Sequence, residues 1–377
     1  MPSPHDHDRM PIYRLAPSIR AYVRAGHALL PLIAAVLGLL PATAARLPGA
    51  EIAPGSAPYV LSQTWALGGE GRWDYATCSA DGSRLYVTRS SHTQVIDTAT
   101  GHLAADILGT PSCHGVALAP AAQRGFISSA ATVVVVSLTT NQVLGVIPAA
   151  ADADGIITDA FSQHVLVFCG DAHVAVPISI DVDPVHGHAD QPIALGGDPE
   201  FAVSDGAGHV YANIKDTAEV VAINTRTWAI DHRFPIELGA NPTGLSLDPA
   251  TRLLFIGCRN RQLVVMNADT GVIVTRIPIG SGVDATAVHA GRAFASCGDG
   301  TVSVVRVAPG GITVLPVTAT QVGARTMAIN PVSGAIYLPT SDFAPADPAS
   351  DENPHPRPKP LPGTFRILVL TPRPASR

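Results

Sequence analysis

The chain has 377 residues, of which 46% are apolar and 14% charged, and its formal net charge is −6. This composition fits a domain with a large buried core, and the lack of a basic stretch argues against nucleic acid or anionic lipid as a partner. Glycine (34 residues) and proline (33 residues) are abundant while aromatic residues make up only 5%, as expected for many short strands joined by tight turns.

Residues 1–44 are predicted to be a secretory signal peptide. Arg20 and Arg24 precede the apolar stretch 28–40, and the small residues 42–44 form a cleavage site. A membrane-spanning helix needs about twenty apolar residues, and this stretch is shorter than that. We therefore expect a periplasmic or secreted protein with no membrane span after cleavage and with a linker over 45–58. The sequence leaves open whether translation starts at Met1 or Met10.

The rest of the chain repeats with a period of about forty residues, which is typical of a β-propeller with four strands per blade. The first repeat has predicted strands over 73–79, 84–89, 93–98 and 102–108, and the fifth over 243–248, 253–258, 262–267 and 272–277. One position recurs near the start of the first strand of every repeat, at Asp74, His114, Asp154, Glu200, Thr243, Asp284 and Arg325. We expect these seven side chains to form a ring around a central channel.

The seventh repeat contains only three predicted strands, over 326–330, 335–340 and 365–370, and a matching fourth strand is available at 59–67. Pairing the two ends would leave no exposed blade edge, a liability that β-proteins avoid. The predicted fold is therefore all-β: a seven-bladed β-propeller over 59–371, with four-stranded antiparallel blades, a last blade closed by an N-terminal strand, and a tail over 372–377.

Two segments lengthen the repeats. The Pro-rich insert 341–363 follows a second strand and is expected to be stiff and to lie over the ring side of the channel. The segment 181–190 follows a third strand and is expected at the opposite face. It contains His186 and His188 with acidic neighbours Asp183 and Asp190, a metal-like spacing that also arises by chance in polar loops.

The five cysteines are expected to be free. Cys169, Cys258 and Cys297 occupy the same strand position in three repeats. Equivalent positions of packed sheets lie roughly 10 Å apart, too far for a disulfide.

Several motifs resemble bacterial YncE-type proteins of the YVTN β-propeller repeat family. They are Gly68-Gly-Glu-Gly-Arg-Trp-Asp-Tyr75, His114-Gly-Val-Ala-Leu-Ala-Pro120, Gly196-Gly-Asp-Pro-Glu-Phe-Ala-Val203, Gly282-Val-Asp-Ala285, Gly323-Ala-Arg-Thr-Met-Ala328 and Tyr337-Leu-Pro-Thr340. The resemblance covers roughly residues 60–370, and it implies a seven-bladed propeller in the periplasm without implying a reaction. The repeats do not resemble WD40 blades, because no Trp-Asp pair ends a third strand.

The ring position is mostly acidic, and two arrangements could balance the charge of the converging carboxylates. Converging carboxylates with one histidine suit a divalent metal, and Asp74, Glu200 and Asp284 are the candidate ligands. Alternatively, Arg325 could pair with a neighbouring carboxylate and neutralise part of the charge. Polar walls are also what any water-filled channel requires.

Three further residues are predicted at the rim of the channel. Trp73 would be either an aromatic platform or a packing residue between blades, and Arg89 and Lys215 would meet an anionic group of a ligand. No haem-attachment motif is present, so c-type haem is excluded as a cofactor.

These features favour a non-catalytic binding module, expected to be a monomer, whose small ligand or protein partner the sequence does not name. One alternative is a metal-dependent, lactonase-like hydrolase with the ion in the channel and His114 as proton acceptor. Another is a scaffold for protein partners.

Overall fold

The repeats of the sequence become antiparallel β-sheets in the computed structural model, which describes residues 55–308, 311–346, 348 and 358–374. These residues belong to a single unit, Leu47–Arg377. The predicted signal peptide lies outside the described residues. The described part of the chain contains no helix long and apolar enough to cross a membrane.

The sheets follow one another along the chain. A seven-stranded sheet consists of β2 (Ala76–Cys78), β3 (Arg84–Thr88), β4 (Ser90–Asp97), β5 (Leu103–Ala119), β6 (Arg124–Ser129), β7 (Thr132–Ser137) and β8 (Val143–Pro148). A four-stranded sheet follows, with β9 (Ala153–Asp159), β10 (His164–Cys169), β11 (Val174–Ser179) and β12 (Ile193–Ala194). The next contains β13 (Pro199–Ser204), β14 (His209–Ile214), β15 (Glu219–Asn224) and β16 (Ala229–Pro235).

Three more four-stranded sheets complete the described structure. The first of them contains β17 (Pro242–Asp248), β18 (Leu253–Cys258), β19 (Gln262–Asn267) and β20 (Ile273–Pro278). The second contains β21 (Val283–His289), β22 (Arg292–Cys297), β23 (Thr301–Ala308) and β24 (Gly311–Ala319). The third has the order β1-β27-β26-β25, formed by β1 (Tyr59–Ala66), β25 (Ala328–Ile329), β26 (Ile336–Thr340) and β27 (Arg366–Pro372). The only helical element among the described residues is a 3-10 turn, Pro120–Ala122.

The predicted all-β class is confirmed, and the predicted pairing of the two chain ends is observed directly. β1 runs antiparallel to β27, with Tyr59 opposite Pro372 and Ala66 opposite Arg366. The unpaired edge that a three-stranded last repeat would have is therefore covered by the first described strand.

Several strands differ from the prediction, among them β25, which is only Ala328–Ile329 where 326–330 was predicted. β2 starts only at Ala76 because the amide of Tyr75 donates to the carbonyl of His114 in β5 (3.1 Å) and not to the adjacent strand β3. β5 merges the fourth strand of the first repeat with the first strand of the second. Its two halves stay joined because Cys113 pairs with Ser90, so β4 continues the ladder across the junction.

The core consists of apolar clusters between successive repeats. The middle strands of each sheet are buried on both faces, as in β10 and β18, because each sheet is covered by a neighbour on either side. Seven such clusters are present among the described residues, and each draws on two successive repeats. One of them joins Leu85 and Val87 of the first repeat to Tyr337 and Ile367 of the last.

The innermost strands also contact one another in chain order. β2 contacts β5, the contacts continue through β9, β13, β17 and β21 to β25, and β25 contacts β2. Polar side chains reinforce these junctions: the Thr88 hydroxyl donates to the carbonyl of His114 (2.6 Å), and the Asn213 amide donates to the carbonyl of Gly244 (3.1 Å). The starts of the inner strands, where the ring position lies, are therefore held in fixed relative positions.

All five cysteines are free. Cys169, Cys258 and Cys297 are completely buried in three different apolar clusters, so they pack as small apolar side chains.

Candidate functional site

A cavity of about 610 Å³, here called the mouth cavity, lies beside the ring positions of the first, second and seventh repeats. Its wall includes the ring residues Asp74, His114 and Arg325. The Pro-rich insert forms the other side of the wall through Phe343, Pro358 and Pro360. Two segments that are far apart in sequence therefore line one cavity.

Three ring residues from successive repeats form a central cluster: Asp74, His114 and Asp154. The Nδ1 atom of His114 lies 2.8 Å from Oδ2 of Asp74 and 3.4 Å from Oδ1 of Asp154. The side chains are 41%, 31% and 22% exposed in the order Asp74, His114, Asp154, so the cluster is open towards the cavity. One imidazole thus bridges two carboxylates that come from different sheets.

The protonation of the central cluster is shifted by these contacts. The hydrogen bond from His114 to Asp74, together with the charge of Asp154, raises the pKa of His114 to about 9. Burial raises the pKa of Asp74, and burial with the nearby charge of Asp74 raises the pKa of Asp154 well above its usual value. With a pKa of about 9, His114 carries a positive charge at neutral pH, and this charge faces the carboxylate of Asp74.

The other two ring carboxylates are paired with protein cations. Glu200 Oε2 lies 2.8 Å from Lys215 Nζ, which also lies 2.9 Å from Asp198. Burial raises the pKa of Glu200, and the contact with Lys215 offsets part of that rise. Asp284 Oδ2 lies 3.5 Å from Arg325 Nε, which matches the pairing that the sequence suggested for Arg325.

The predicted metal ligands are not brought together as a set. Among the described residues, one group of potential metal ligands has its atoms within 4.8 Å of one another, and it is Asp74, His114 and Asp154. Glu200 and Asp284 are held by their own cations instead. The surface histidines of the segment 181–190 form no such group either, because Asp190 contacts His164 (3.1 Å) and the carboxylate of Asp183 accepts from backbone amides.

Two predicted site residues are buried in the protein. Thr243 is fully buried, and its hydroxyl donates to the carbonyl of Val283 (2.9 Å), so it joins two repeats. Arg89 is only 1% exposed and does not stand at the rim. Its guanidinium lies 3.7 Å from the ring centre of Phe365 and donates to Gln94 and to loop carbonyls over 68–71. The repeats carried a signal for this burial, because Arg89 occupies the strand position of small buried residues in other repeats, such as Ser129 and Cys169.

The remaining rim residue, Trp73, has both roles that the sequence allowed. Its ring packs against Phe365 (5.4 Å between centroids) and Phe343 (6.0 Å), and it also lines the mouth cavity. It therefore anchors the insert and offers an aromatic surface at the same time.

Sequence reasoning missed four residues of this region. Tyr75 and Phe201 follow ring positions of the first and fourth repeats and pack against each other (4.8 Å between centroids). The signal was available, because most other repeats have glycine at that position, as in Gly115 and Gly155. Arg72 and Phe343 also line the mouth cavity, but only the tertiary structure brings them there.

Comparison with known proteins supports the fold alone. No family model matches the chain, and no curated protein sequence matches it. Among solved structures the chain is similar to the hydrazine synthase of Kuenenia stuttgartiensis, with a TM-score of 0.62 and 12% sequence identity, over 74% of this chain and 94% of that one. That neighbour contains a β-propeller, so the described sheets define a β-propeller-like fold.

Proposed function

We propose that this protein is an exported seven-bladed β-propeller that binds a small ligand in the mouth cavity. Export is supported by the signal-like residues 1–44. Propeller-like folds commonly serve as binding modules or scaffolds, and the fold by itself names no reaction.

The seven-bladed ring is supported by the way the repeats pack. Seven apolar clusters between successive repeats, the last of them joining the seventh repeat to the first, are what a closed ring of seven units requires. The contact of β25 with both β21 and β2 agrees with this. The merged strand β5 accounts for six sheets instead of seven, because its two halves belong to two blades.

Ligand binding rests on one observation: three ring residues, Asp74, His114 and Arg325, share one cavity with the Pro-rich insert. Its volume of about 610 Å³ is within the range of roughly 300–1,000 Å³ found for small-molecule sites. The wall combines apolar surface from Trp73 and Phe343 with charged groups such as His114, the combination that lets a site hold and orient a ligand.

A dialysis experiment tests this proposal. The mature protein is dialysed against a low-molecular-weight cell extract. Compounds that become more concentrated on the protein side are identified by mass spectrometry. Val322 lines the cavity and is 66% exposed, so Val322→Trp should fill the mouth without disturbing the core. Val332 is 71% exposed and lies outside the lining, so Val332→Trp is the matched control.

We expect a compound that is enriched by the wild type and by Val332→Trp but not by Val322→Trp. If the wild type enriches nothing, or if both variants behave like the wild type, binding in this cavity is excluded and the scaffold role becomes the better explanation.

A metal-dependent hydrolase is the second candidate, and the central cluster is the observation that favours it. Asp74, His114 and Asp154 together offer two carboxylates and, once a metal displaces the proton on His114, an imidazole, a donor set suited to several divalent metals. A bound ion would lower the pKa of a coordinated water for attack on an ester or lactone.

Metal content separates the two candidates. A hydrolase predicts one equivalent of a divalent metal in the purified wild type, lost in His114→Gln together with esterase activity. His232→Gln changes an exposed histidine outside the cluster and should keep the metal. If the purified wild type contains no metal but still enriches a ligand, the hydrolase is excluded and the binding module is the supported function.

A further inference from the structure

We infer that the ligand of the mouth cavity is an oxyanion carried on a flat, apolar body, such as an aromatic carboxylate, with Arg72 and Arg325 holding the anionic group. This inference rests on the proposed function and specifies the chemistry of the same site. It follows from the distribution of paired and unpaired charges around the cavity.

Arg72 lines the cavity and is exposed. Its guanidinium has no hydrogen bond or ion pair with any described residue. Some other arginines of the described structure are paired, as Arg252 is with Asp205 and Asp269, and Arg233 with Glu219, whereas Arg72 combines the lack of a partner with a position in the cavity wall. A cation that lacks an internal partner and faces a cavity is available to a ligand.

Arg325 is the second cation of the cavity wall. Its contact with Asp284 runs through Nε at 3.5 Å, and its two terminal nitrogens have no partner among the described residues. A guanidinium offers paired N–H groups that match the two oxygens of a carboxylate or phosphate. Asp284 meanwhile accepts a hydrogen bond from the hydroxyl of Thr326 (3.1 Å), so its charge does not depend on Arg325 alone.

The apolar body is indicated by the wall beside these cations. Phe343 lies directly over Gly323, where a Cβ atom would come within 2.4 Å of its ring. Gly323 has φ +89°, so the chain accommodates the ring only because this residue has no side chain. Phe343 and Trp73, whose ring centroids lie 6.0 Å apart at an interplanar angle of 53°, thus give an aromatic surface beside Gly323, which is two residues before Arg325 in the chain.

The carboxylates are arranged in agreement with this chemistry. Glu200 is paired with Lys215, and Asp74 is hydrogen-bonded to His114, so these two carboxylates already have protein cations as partners. The guanidinium of Arg72 is a positive charge at the mouth that no carboxylate of the described residues pairs, and an incoming anion would meet it there.

Calorimetric titration with matched probes tests the inference. The probes are 4-hydroxyphenylacetate, its neutral amide, and phenyl phosphate, so the carboxylate and phosphate forms of the anion are distinguished. We expect at least one anion to bind about tenfold or more tightly than the amide, and to bind more weakly at 0.5 M NaCl than at 0.1 M.

Variants assign the effect to the two arginines. Arg72→Gln and Arg325→Gln should each weaken anion binding about tenfold and leave the amide unchanged. Arg72 has no internal partner, so its variant is expected to fold normally. Arg306→Gln, an exposed arginine of β23 outside the cavity lining, is the control and should bind like the wild type.

Two outcomes would overturn the inference without touching the proposed function. The first is equal affinity for acid and amide. The second is a wild-type protein that enriches a compound in the dialysis experiment but binds neither anion. Anion binding that persists in Val322→Trp would instead place the ligand elsewhere and contradict both.

Discussion

The imidazole of His114 lies 2.8 Å from the carboxylate of Asp74, a residue forty positions earlier in the chain, and it lies 3.4 Å from Asp154 on its other side. The same atom, Nδ1, faces both carboxylates. An imidazole with Nδ1 unprotonated would place a lone pair against two carboxylates, so the arrangement favours a proton on Nδ1 of His114.

This pair predicts a defined pH dependence. The pKa of His114 is raised from 6.5 to about 9. The stabilisation that protonated His114 gives to the folded protein is therefore complete below pH 6.5 and is lost as the pH rises through 9. In EDTA-treated protein, the NMR resonances of the His114 imidazole should titrate with a midpoint near pH 9. The difference in the free energy of unfolding between the wild type and His114→Asn should become smaller between pH 7 and 10.

Asp74→Asn provides the control for this titration. Without the carboxylate, the hydrogen bond that contributes most to the shift is lost, and the midpoint should fall towards 6.5. A midpoint near 6.5 in the wild type would show that the pair does not form.

The buried guanidinium of Arg89 predicts a large loss of stability on substitution. Arg89→Met leaves Gln94 and loop carbonyls such as that of Glu70 without their donor, and it removes the stacking on Phe365. We expect a loss of about 3 kcal/mol or more in urea unfolding, because buried acceptors lose charged donors.

Arg84→Met is the comparison for Arg89. Arg84 pairs with Asp97 at 2.6 Å, but its side chain is 41% exposed, and such surface pairs contribute less than about 1 kcal/mol. Similar losses for both variants would contradict the assigned role of Arg89.

Lys215 predicts a loss of stability that depends on pH. Lys215→Met leaves Glu200, whose side chain is 15% exposed, without its nearest cation. We expect destabilisation of about 1–3 kcal/mol at pH 7. The loss should shrink towards pH 5, because burial already raises the pKa of Glu200 and protonation removes the unpaired charge. Chemical denaturation at the two pH values measures this, and Lys215→Arg should retain most of the stability.

The N-terminal segment predicts processing during export. Intact-mass analysis of protein from a periplasmic fraction should give a chain that begins at Ala45. Ala44→Arg should block cleavage because a signal peptidase requires a small residue there, while Ala50→Arg should not. A mature chain that retains residues 1–44 would refute the signal peptide.

The order of the strands was accessible from the sequence because it depends on local rules. Residues 253–258 and 262–267 were predicted as strands, and they form β18 and β19. A short run of apolar residues between turn-forming residues is typical of a buried strand, so this prediction needed only local sequence. The pairing of 59–67 with the last repeat was also predictable, because an unpaired edge is unfavourable. The first strand of the first repeat was predicted too long, because the amide of Tyr75 bonds to the neighbouring repeat.

The ring position shows which properties of the site the sequence determines and which depend on the tertiary structure. The repeat by itself determined which seven residues occupy equivalent places and that most of them are acidic. Only the tertiary structure decided what each does: His114 bridges Asp74 and Asp154, Thr243 joins two strands, and Arg325 faces a cavity. The physical reason is distance in the chain. These partners lie about forty residues or more apart, so their contacts depend on how the sheets pack and on how each side chain orients in a shared space, and no local pattern records either.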